Sequence, residues 1–161
     1  MTIGDNMNIT YRKAIVSDKD SINNLFIEMV KTVNDRMIRE GIEPHKELEN
    51  GYSDELDKYF IDDNNLIFVA CDEDKIIGFI SMNVFKDLDY IYIDDYSVSN
   101  RYRGLGIGSK LMEMVFKYAD DNNISTIKGH VESANHESMD FYKKRGFVVE
   151  KQEDNRLLIR R

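Results

Sequence analysis

The sequence predicts one α+β domain with a mixed β-sheet, and two observations carry this prediction. Apolar residues recur at helical spacing in some segments and in alternation or short runs in others. No linker rich in Pro, Gly or Ser divides the chain. The 161 residues match the size of one ordinary domain, and a hydrophobic content of 42% suffices for one core. We expect a single domain over residues 1–161, with residues 1–7 as a loose N-terminal extension.

The N-terminal part of the chain predicts a strand followed by two helices. Alternation of side-chain character within residues 8–14 predicts a short strand. Ser17 and Asp20, three positions apart, are typical of a helix start. Apolar residues at i, i+3, i+4 spacing continue this helix until Gly41. A second, shorter helix begins at residues 53–55, whose side chains suit a helix N-terminus.

The rest of the chain predicts strands interrupted by two further helices. The first two of these strands form a hairpin around an acidic turn. The predicted strands cover residues 66–71, 75–85, 90–98, 125–131, 147–150 and 156–160. One helix follows the glycines at 104–108 and ends near residues 122–123, and another covers residues 135–145 and stops at Gly146. The order β-α-α-β-β-β-α-β-α-β-β indicates a mixed sheet.

Charge and cysteine content exclude several classes of protein. A net charge of −8 argues against non-specific binding of nucleic acid. No apolar run approaches the roughly 20 residues that a membrane helix needs, and the N-terminus lacks the pattern of a signal peptide. The single cysteine, Cys71, excludes a disulfide framework and a Cys-built zinc site. We therefore expect a cytoplasmic protein without nucleic-acid or membrane partners.

The charge is distributed unevenly along the chain. Residues 1–100 carry 10 basic and 21 acidic side chains, a balance of −11. Residues 101–161 carry 12 basic and 9 acidic side chains, a balance of +3. This asymmetry predicts that the two parts meet ligands of different sign, although an acidic surface also serves solubility.

The glycine-rich segment Arg103–Gly108 predicts a phosphate site. Glycines let a ligand approach the backbone closely, and the helix that follows presents unpaired N–H groups at its positive end. The spacing excludes two common phosphate loops. Ser109 and Lys110 stand where a nucleoside-triphosphate loop needs Gly-Lys, and Ser109 stands where a dinucleotide loop needs Gly or Ala. A tight strand–helix turn without a ligand remains the alternative.

These residues resemble the GNAT superfamily of acyl-CoA-dependent N-acetyltransferases. Arg103, Gly106 and Gly108 occupy the fixed positions of its signature Gln/Arg-x-x-Gly-x-Gly/Ala, and the flanking segments DDYSVSNRYRGLGIGSKLM and ESANHESMDFYKKRGF are also similar to the family. The resemblance implies a mainly antiparallel central sheet of six to seven strands flanked by about four helices. It further implies transfer of an acetyl group from acetyl-CoA to a primary amine by direct attack in a ternary complex.

The resemblance also implies where coenzyme A binds. Backbone N–H groups of residues 103–108 would hold the pyrophosphate, and pantetheine would pair with the strand at residues 96–98 like an added strand. Asn135 would contact pantetheine, with a simple N-cap as the alternative. The residues thereby assigned to the cofactor are Tyr96, Val98, Arg103, Gly104, Leu105, Gly106, Ile107, Gly108, Ser109 and Asn135. No metal is expected, since the three histidines show no ligand spacing.

Two residues are candidates for proton transfer. Tyr142 matches the family tyrosine near the cofactor sulfur and would protonate the departing thiolate, with a buried core tyrosine as the alternative. Asp94 and Asp95 stand where many members of the family carry an acidic residue, and in a regular strand only one of two adjacent residues faces the site. Asp94 is preferred as general base, with a solvated strand end as the alternative for either residue. A bulge in this strand would change that alternation. His130 and Glu132 lie near the site as secondary contacts, and a water relay is the fallback for the base.

The acceptor is predicted to be a cationic amine or a peptide amine. In the family, the first two helices and their connecting loop wall the acceptor site, and here they carry Glu40, Glu43, Glu47, Glu49, Asp54, Glu55 and Asp57. Such carboxylates attract a cation. The sequence leaves open the acceptor's identity, the acyl chain and the choice between monomer and homodimer. A non-catalytic acyl-CoA-binding or regulatory domain is the alternative function.

Overall fold

Seven strands form one sheet in the computed structural model, which describes residues 7–161, in the order β1-β2-β3-β4-β5-β7-β6. The strands are β1 (Ile9–Lys13), β2 (Asn65–Asp72), β3 (Lys75–Phe85), β4 (Tyr90–Val98), β5 (Thr126–Glu132), β6 (Val148–Glu153) and β7 (Arg156–Arg160). The α-helices are α1 (Lys19–Arg39), α2 (Lys58–Ile61), α3 (Ile107–Asp121) and α4 (His136–Lys144). The predicted α+β class is confirmed. Residues 1–6, most of the predicted N-terminal extension, lie outside the described residues.

Neighbouring strands run antiparallel except β4 and β5, which run parallel. The mixed, mainly antiparallel character and the strand number are therefore as predicted. The predicted hairpin of β2 and β3 also forms, with Asp72 paired to Lys75 across its turn. The connection between β4 and β5 contains α3, as a parallel pair requires a crossover.

The sheet opens between its two parallel strands. Strands β4 and β5 pair over three positions that end at Tyr92 and Lys128. Beyond them β4 stays paired to β3 as far as Val98, and β5 stays paired to β7 as far as Glu132. Because the two strands separate, the edge of β4 after Tyr92 faces a cleft rather than a neighbouring strand.

A β-bulge lies on β4 where the cleft begins. Ser81 of β3 pairs with Asp95, but the next residue, Met82, pairs with Ile93. Asp94 is therefore the additional residue of the bulge, which changes the alternation of side chains along the strand. This explains why Asp94 and Asp95 both line one cavity, described below.

Two apolar clusters cover the two faces of the sheet. Helix α3 buries Ile107, Leu111, Met112 and Val115 on one face, where Tyr142 of α4 also packs. Helix α1 buries Ile22, Leu25, Phe26 and Val30 on the other face together with Leu56 and Tyr59. The cleft between β4 and β5 therefore lies between two helical layers that hold it in shape.

The start of α1 differs from the prediction. The predicted helix start at Ser17 is wrong, because a short 3-10 turn over Val16–Asp18 precedes a helix that begins at Lys19. The Asp18 carboxylate accepts hydrogen bonds from the Ile15 N–H at 2.8 Å and from Arg12 at 2.7 Å. The hydrogen bond from Arg12 is the main reason that the pKa of Asp18 lies below its usual value. This ion pair with β1 fixes the point at which the chain enters α1. Sequence spacing alone does not reveal the contact.

Candidate active site

A cavity of about 310 Å³ lies beside the glycine-rich segment, and we call it the glycine cavity. It lies between the end of β4, the loop before α3, and helices α1 and α4. Gly104 and Gly106 adopt φ angles of +77° and +79°, which favour glycine. Gly106 precedes α3 without a side-chain cap, so the first-turn N–H groups of α3 are free to bind a ligand at the cavity.

Three arginines give the glycine cavity a positive lining. They are Arg36 of α1, Arg103 of the loop and Arg145, which follows α4. Glu137 forms an ion pair with Arg36 at 3.0 Å and accepts a hydrogen bond from Arg103 at 3.1 Å. The Arg145 guanidinium lies 3.7 Å from the centre of the Phe141 ring. Guanidinium groups together with a helix N-terminus suit a ligand that carries phosphates, as coenzyme A does.

Nine of the ten residues predicted to bind the cofactor line the glycine cavity. The tenth, Leu105, lies outside the lining and is 44% exposed. Asn135 lines the cavity and also caps α4, because its side chain accepts from the Ser138 N–H at 3.3 Å. Gly108 has a further structural role, since an added Cβ would lie 3.3 Å from the Phe141 ring. Arg36 was not predicted, because a polar position on α1 carries no signal of what it faces.

A second cavity of about 120 Å³ adjoins the first, and we call it the carboxylate cavity. The two cavities share Met29, Val33, Tyr96, Asn135 and Ser138 as lining residues. Tyr142 and Asp94, the predicted proton-transfer candidates, both line the carboxylate cavity, and so does Asp95. A positive cavity and an acidic cavity therefore meet at Tyr96, beyond the point where β4 separates from β5.

Tyr142 is nearly buried, with 3% of its surface exposed. Its ring contacts Tyr96 and Phe147 edge-on, with centroid distances of 5.6 and 5.0 Å. Within residues 7–161, its hydroxyl has no hydrogen-bond partner. Burial raises the pKa of Tyr142 well above its usual value. The hydroxyl therefore stays protonated and can donate a proton to a group in the cavity.

Asp94 and Asp95 differ in their surroundings. The Asp94 carboxylate accepts from the Tyr59 hydroxyl and the Asn83 side-chain amide, and Lys58 lies 3.5 Å away. The Asp95 carboxylate has no hydrogen-bond partner in the described part of the chain. Burial, and then the charge of Asp94, raise the pKa of Asp95 to about 8. These features favour Asp95 as proton acceptor over Asp94, the residue preferred from the sequence.

Tyr92 and His130 form a second polar pair at the cleft. The Tyr92 hydroxyl lies 2.9 Å from His130 Nδ1, and Arg156 donates to the same hydroxyl at 3.3 Å. Burial, and then the charge of Arg156, lower the pKa of His130 to about 4. The imidazole is therefore neutral at neutral pH, and its surroundings oppose its protonation. His130 was predicted as a secondary contact, but Tyr92 was not, because the two residues lie on different strands and are 38 positions apart in the sequence.

A third cavity of about 500 Å³ lies outside the carboxylate cavity, and we call it the outer trough. Its lining includes Glu43, Glu132 and Asp154. Of the acidic stretch predicted to surround the acceptor, Glu43 lines the outer trough, whereas Glu40 pairs with His136 and Asp57 pairs with Lys19. Most of the carboxylates that line the carboxylate cavity and the outer trough therefore belong to β4, β5 and the β6–β7 turn, and not to the first two helices.

Two further findings concern the described residues only. Within residues 7–161, no group of three or more His, Cys, Asp or Glu side chains is arranged to hold a metal ion. Over the same range, no helix combines the length and apolarity needed to span a membrane.

Comparison with known proteins places this geometry in a family. The sequence matches the acetyltransferase (GNAT) family over residues 30–147. It is 30% identical over 99 residues to the probable N-acetyltransferase san of Drosophila melanogaster, covering 58% of this chain and 54% of that protein. The chain therefore spans about half the length of this curated relative.

Solved structures show the same fold. The PaiA N-acetyltransferase of Thermoplasma acidophilum, in complex with coenzyme A, has a TM-score of 0.74 at 20% identity, covering 96% of this chain and 99% of that one. A putative streptothricin acetyltransferase of Bacillus anthracis str. Ames, in complex with acetyl coenzyme A, has a TM-score of 0.57 at 27% identity, covering 65% of each chain.

Proposed function

Because the chain belongs to the acetyltransferase (GNAT) family, we propose that it transfers an acetyl group from acetyl-CoA to a primary amine in a ternary complex. One observation carries this proposal: the positive glycine cavity and the acidic carboxylate cavity meet at Tyr96. The first suits the phosphates of acetyl-CoA, and the second suits an amine. The reacting groups would meet where β4 separates from β5.

Acetyl transfer requires two proton movements, and the site offers a group for each. An alkyl amine with a pKa near ~10.4 must lose a proton before it attacks the thioester carbon. Asp95 would take that proton. The C–N bond forms, the C–S bond breaks, and the thiolate takes a proton from the Tyr142 hydroxyl, which regains a proton from the nitrogen of the new amide.

The loop before α3 would hold the cofactor through its backbone, so its glycines are the first test. We expect Gly106→Val to raise the dissociation constant of acetyl-CoA by about tenfold or more. Gly106 has φ +79°, and a β-branched residue is strained there, so the loop must move away from the phosphate position. Isothermal titration calorimetry measures the effect.

Gly41→Val is the matched control for this change. Gly41 has φ +74°, and at both glycines an added Cβ meets no atom within 4 Å. Gly41 lines none of the three cavities. The control should share the loss of stability and keep its affinity for acetyl-CoA. An unchanged affinity in a folded Gly106→Val protein would remove the loop from the cofactor site.

The proposed activity is tested by thiol release from acetyl-CoA in the presence of a panel of amines, with mass spectrometry of the products. We expect at least one primary amine to gain an acetyl group at a rate above hydrolysis. Binding of acetyl-CoA without transfer to any amine would instead indicate a non-catalytic acyl-CoA-binding domain.

The acidic lining also predicts a salt effect on the acceptor. With acetyl-CoA saturating, the KM of a cationic amine should rise several-fold between about 0.1 and 1 M salt, because the Debye length falls from ~10 to ~3 Å. The carboxylates of Asp94 and Glu132 line the cavity that attracts the cation. Steady-state kinetics measure KM and kcat separately, with a low-pKa amine that is uncharged at the assay pH as control. If anionic amines are better acceptors than every cationic amine, the negative lining does not select the acceptor.

A further inference from the structure

The carboxylate cavity and the outer trough adjoin each other. Four residues line both spaces: His45, Leu48, His130 and Glu132. Where the two spaces meet, His45 Nε2 lies 2.9 Å from a carboxylate oxygen of Glu132. The contact joins the loop after α1 to the end of β5. A molecule that enters the carboxylate cavity from the outer trough must pass this pair, which we call the neck.

A buried side chain fixes the position of His45. Asn34 of α1 is 1% exposed, and its side-chain amide accepts from the His45 N–H at 2.9 Å and donates to the His45 carbonyl at 3.1 Å. The same amide nitrogen lies 3.1 Å from Glu49. A buried amide is costly unless its hydrogen bonds are made. Here they are made to the backbone of a residue of the neck, so the neck is held in place.

The space behind the neck is small and has two kinds of wall. Its volume of about 120 Å³ is the smallest among the three cavities, and the other two have about 310 and 500 Å³. Val30, Val33 and Leu48 form an aliphatic side, whereas Asp94, Asp95 and the unpartnered Tyr142 hydroxyl supply polar groups. Such a space suits a slim alkyl stem that ends in an ammonium group.

The outer trough supplies a second acidic region beyond the neck. Glu43, Glu132 and Asp154 line it, and the guanidinium of Arg156, also in the lining, donates to Tyr92. An acceptor that extends through the neck therefore meets carboxylates at both ends, separated by the apolar stem region.

From these observations, and resting on the proposed acetyl transfer, we infer that the acceptor is a primary amine on an unbranched alkyl stem, with a second cationic group that lies beyond the neck. His45 and Glu132 together determine this specificity. A lysine side chain, with its four-carbon stem, and a linear polyamine share this chemistry. The α-amine of a peptide does not share this chemistry. The Cα that bears it also carries a side chain and a carbonyl group, and the small carboxylate cavity cannot accept both.

A panel of four acceptors tests the inference with acetyl-CoA saturating. It contains a linear diamine, its isomer with a methyl group on the amine-bearing carbon, a lysine peptide with a blocked N-terminus, and a lysine-free peptide with a free N-terminus. We expect kcat/KM for the linear diamine to exceed that for its branched isomer by about 10- to 200-fold. Comparison of the lysine peptide with the linear diamine distinguishes a lysine side chain of a protein from a free polyamine as the acceptor.

Variants test the role of the neck. His45→Ala should widen the neck and lower the ratio of linear to branched kcat/KM about tenfold or more. Glu132→Gln should raise KM for the linear diamine more than KM for a linear monoamine. Glu47→Gln is the control, because Glu47 lies 3.6 Å from His45 but lines none of the three cavities. It should leave the ratio unchanged.

The outcomes separate the inference from the proposed function. If no amine in any panel is acetylated, the proposed function fails. If amines are acetylated but the wild-type protein accepts the branched isomer or the peptide α-amine as well as the linear diamine, the inference is overturned and the function stands. This second result requires no variant, so it holds even if His45→Ala does not fold.

Discussion

Replacing Asp95 by Asn is expected to lower kcat by about 10²- to 10⁴-fold, the usual contribution of a positioned proton acceptor. Asp95 lines the carboxylate cavity without a hydrogen-bond partner for its carboxylate in residues 7–161, and burial raises its pKa to about 8. The wild-type kcat should therefore rise with pH through about 8, as Asp95 loses its proton and becomes able to accept one. The Asn variant should lack this rise. Steady-state rates at saturating acetyl-CoA and amine measure both effects.

Asp94→Asn is the informative comparison. The negative charge of Asp94 helps to raise the pKa of Asp95, so its removal should move the midpoint of the kcat profile to lower pH while retaining the rise. If Asp94→Asn abolishes activity and Asp95→Asn does not, the roles of the two carboxylates are reversed. If neither substitution matters, neither carboxylate is the proton acceptor.

The same pKa has a consequence for stability. Between the ordinary aspartate pKa of about 3.9 and about 8, the folded protein holds a proton on Asp95 that the unfolded chain has lost. Asp95 therefore makes the free energy of unfolding fall as pH rises through this range, and its contribution is most favourable below it. Asp95→Asn should remove this slope, so chemical denaturation at neutral pH should find the variant more stable than the wild type.

The fold could be predicted largely from local patterns. The bounds of β3 and β4 follow from the apolar runs and turns that flank them, and the predicted and observed limits are the same. The glycines before α3 identify a backbone that needs positive φ, which Gly104 and Gly106 adopt. These features depend on neighbours in sequence, so the sequence contains their cause. The start of α1 depends instead on an ion pair with β1, and its prediction was wrong.

The candidate site was predictable only where its residues are close in sequence. The bulge at Asp94 depends on the register between β3 and β4, and it decides which carboxylates share a cavity. The contact of Tyr92 with His130 depends on where two parallel strands separate. A count of acidic residues could not show that Glu40 and Asp57 are paired elsewhere. Side-chain chemistry can be predicted from sequence, whereas its assembly depends on tertiary contacts.

Replacing Tyr142 by Phe is expected to lower kcat by about 10²- to 10⁴-fold with little change in thermal stability. The hydroxyl lines the carboxylate cavity and has no partner among residues 7–161, so its loss breaks no internal hydrogen bond. The ring contacts with Tyr96 and Phe147 remain. Because burial raises the pKa of Tyr142, the hydroxyl stays protonated over the working range and the loss should be independent of pH. Steady-state kinetics and thermal unfolding measure the two quantities.

A second substrate distinguishes proton donation from a structural role. A thiol of lower pKa leaves faster without protonation, so an acetyl thioester analogue of the cofactor with such a leaving group should restore most of the kcat of Tyr142→Phe. Tyr96→Phe is the matched control, because the Tyr96 hydroxyl lies 3.2 Å from the Ser138 hydroxyl in the same aromatic cluster. Its kcat should change by less than about tenfold, and the analogue should not rescue it. A Tyr142→Phe enzyme with kcat within about twofold of the wild type would show that the thiolate receives its proton from another source, since loss of a general acid costs far more than this.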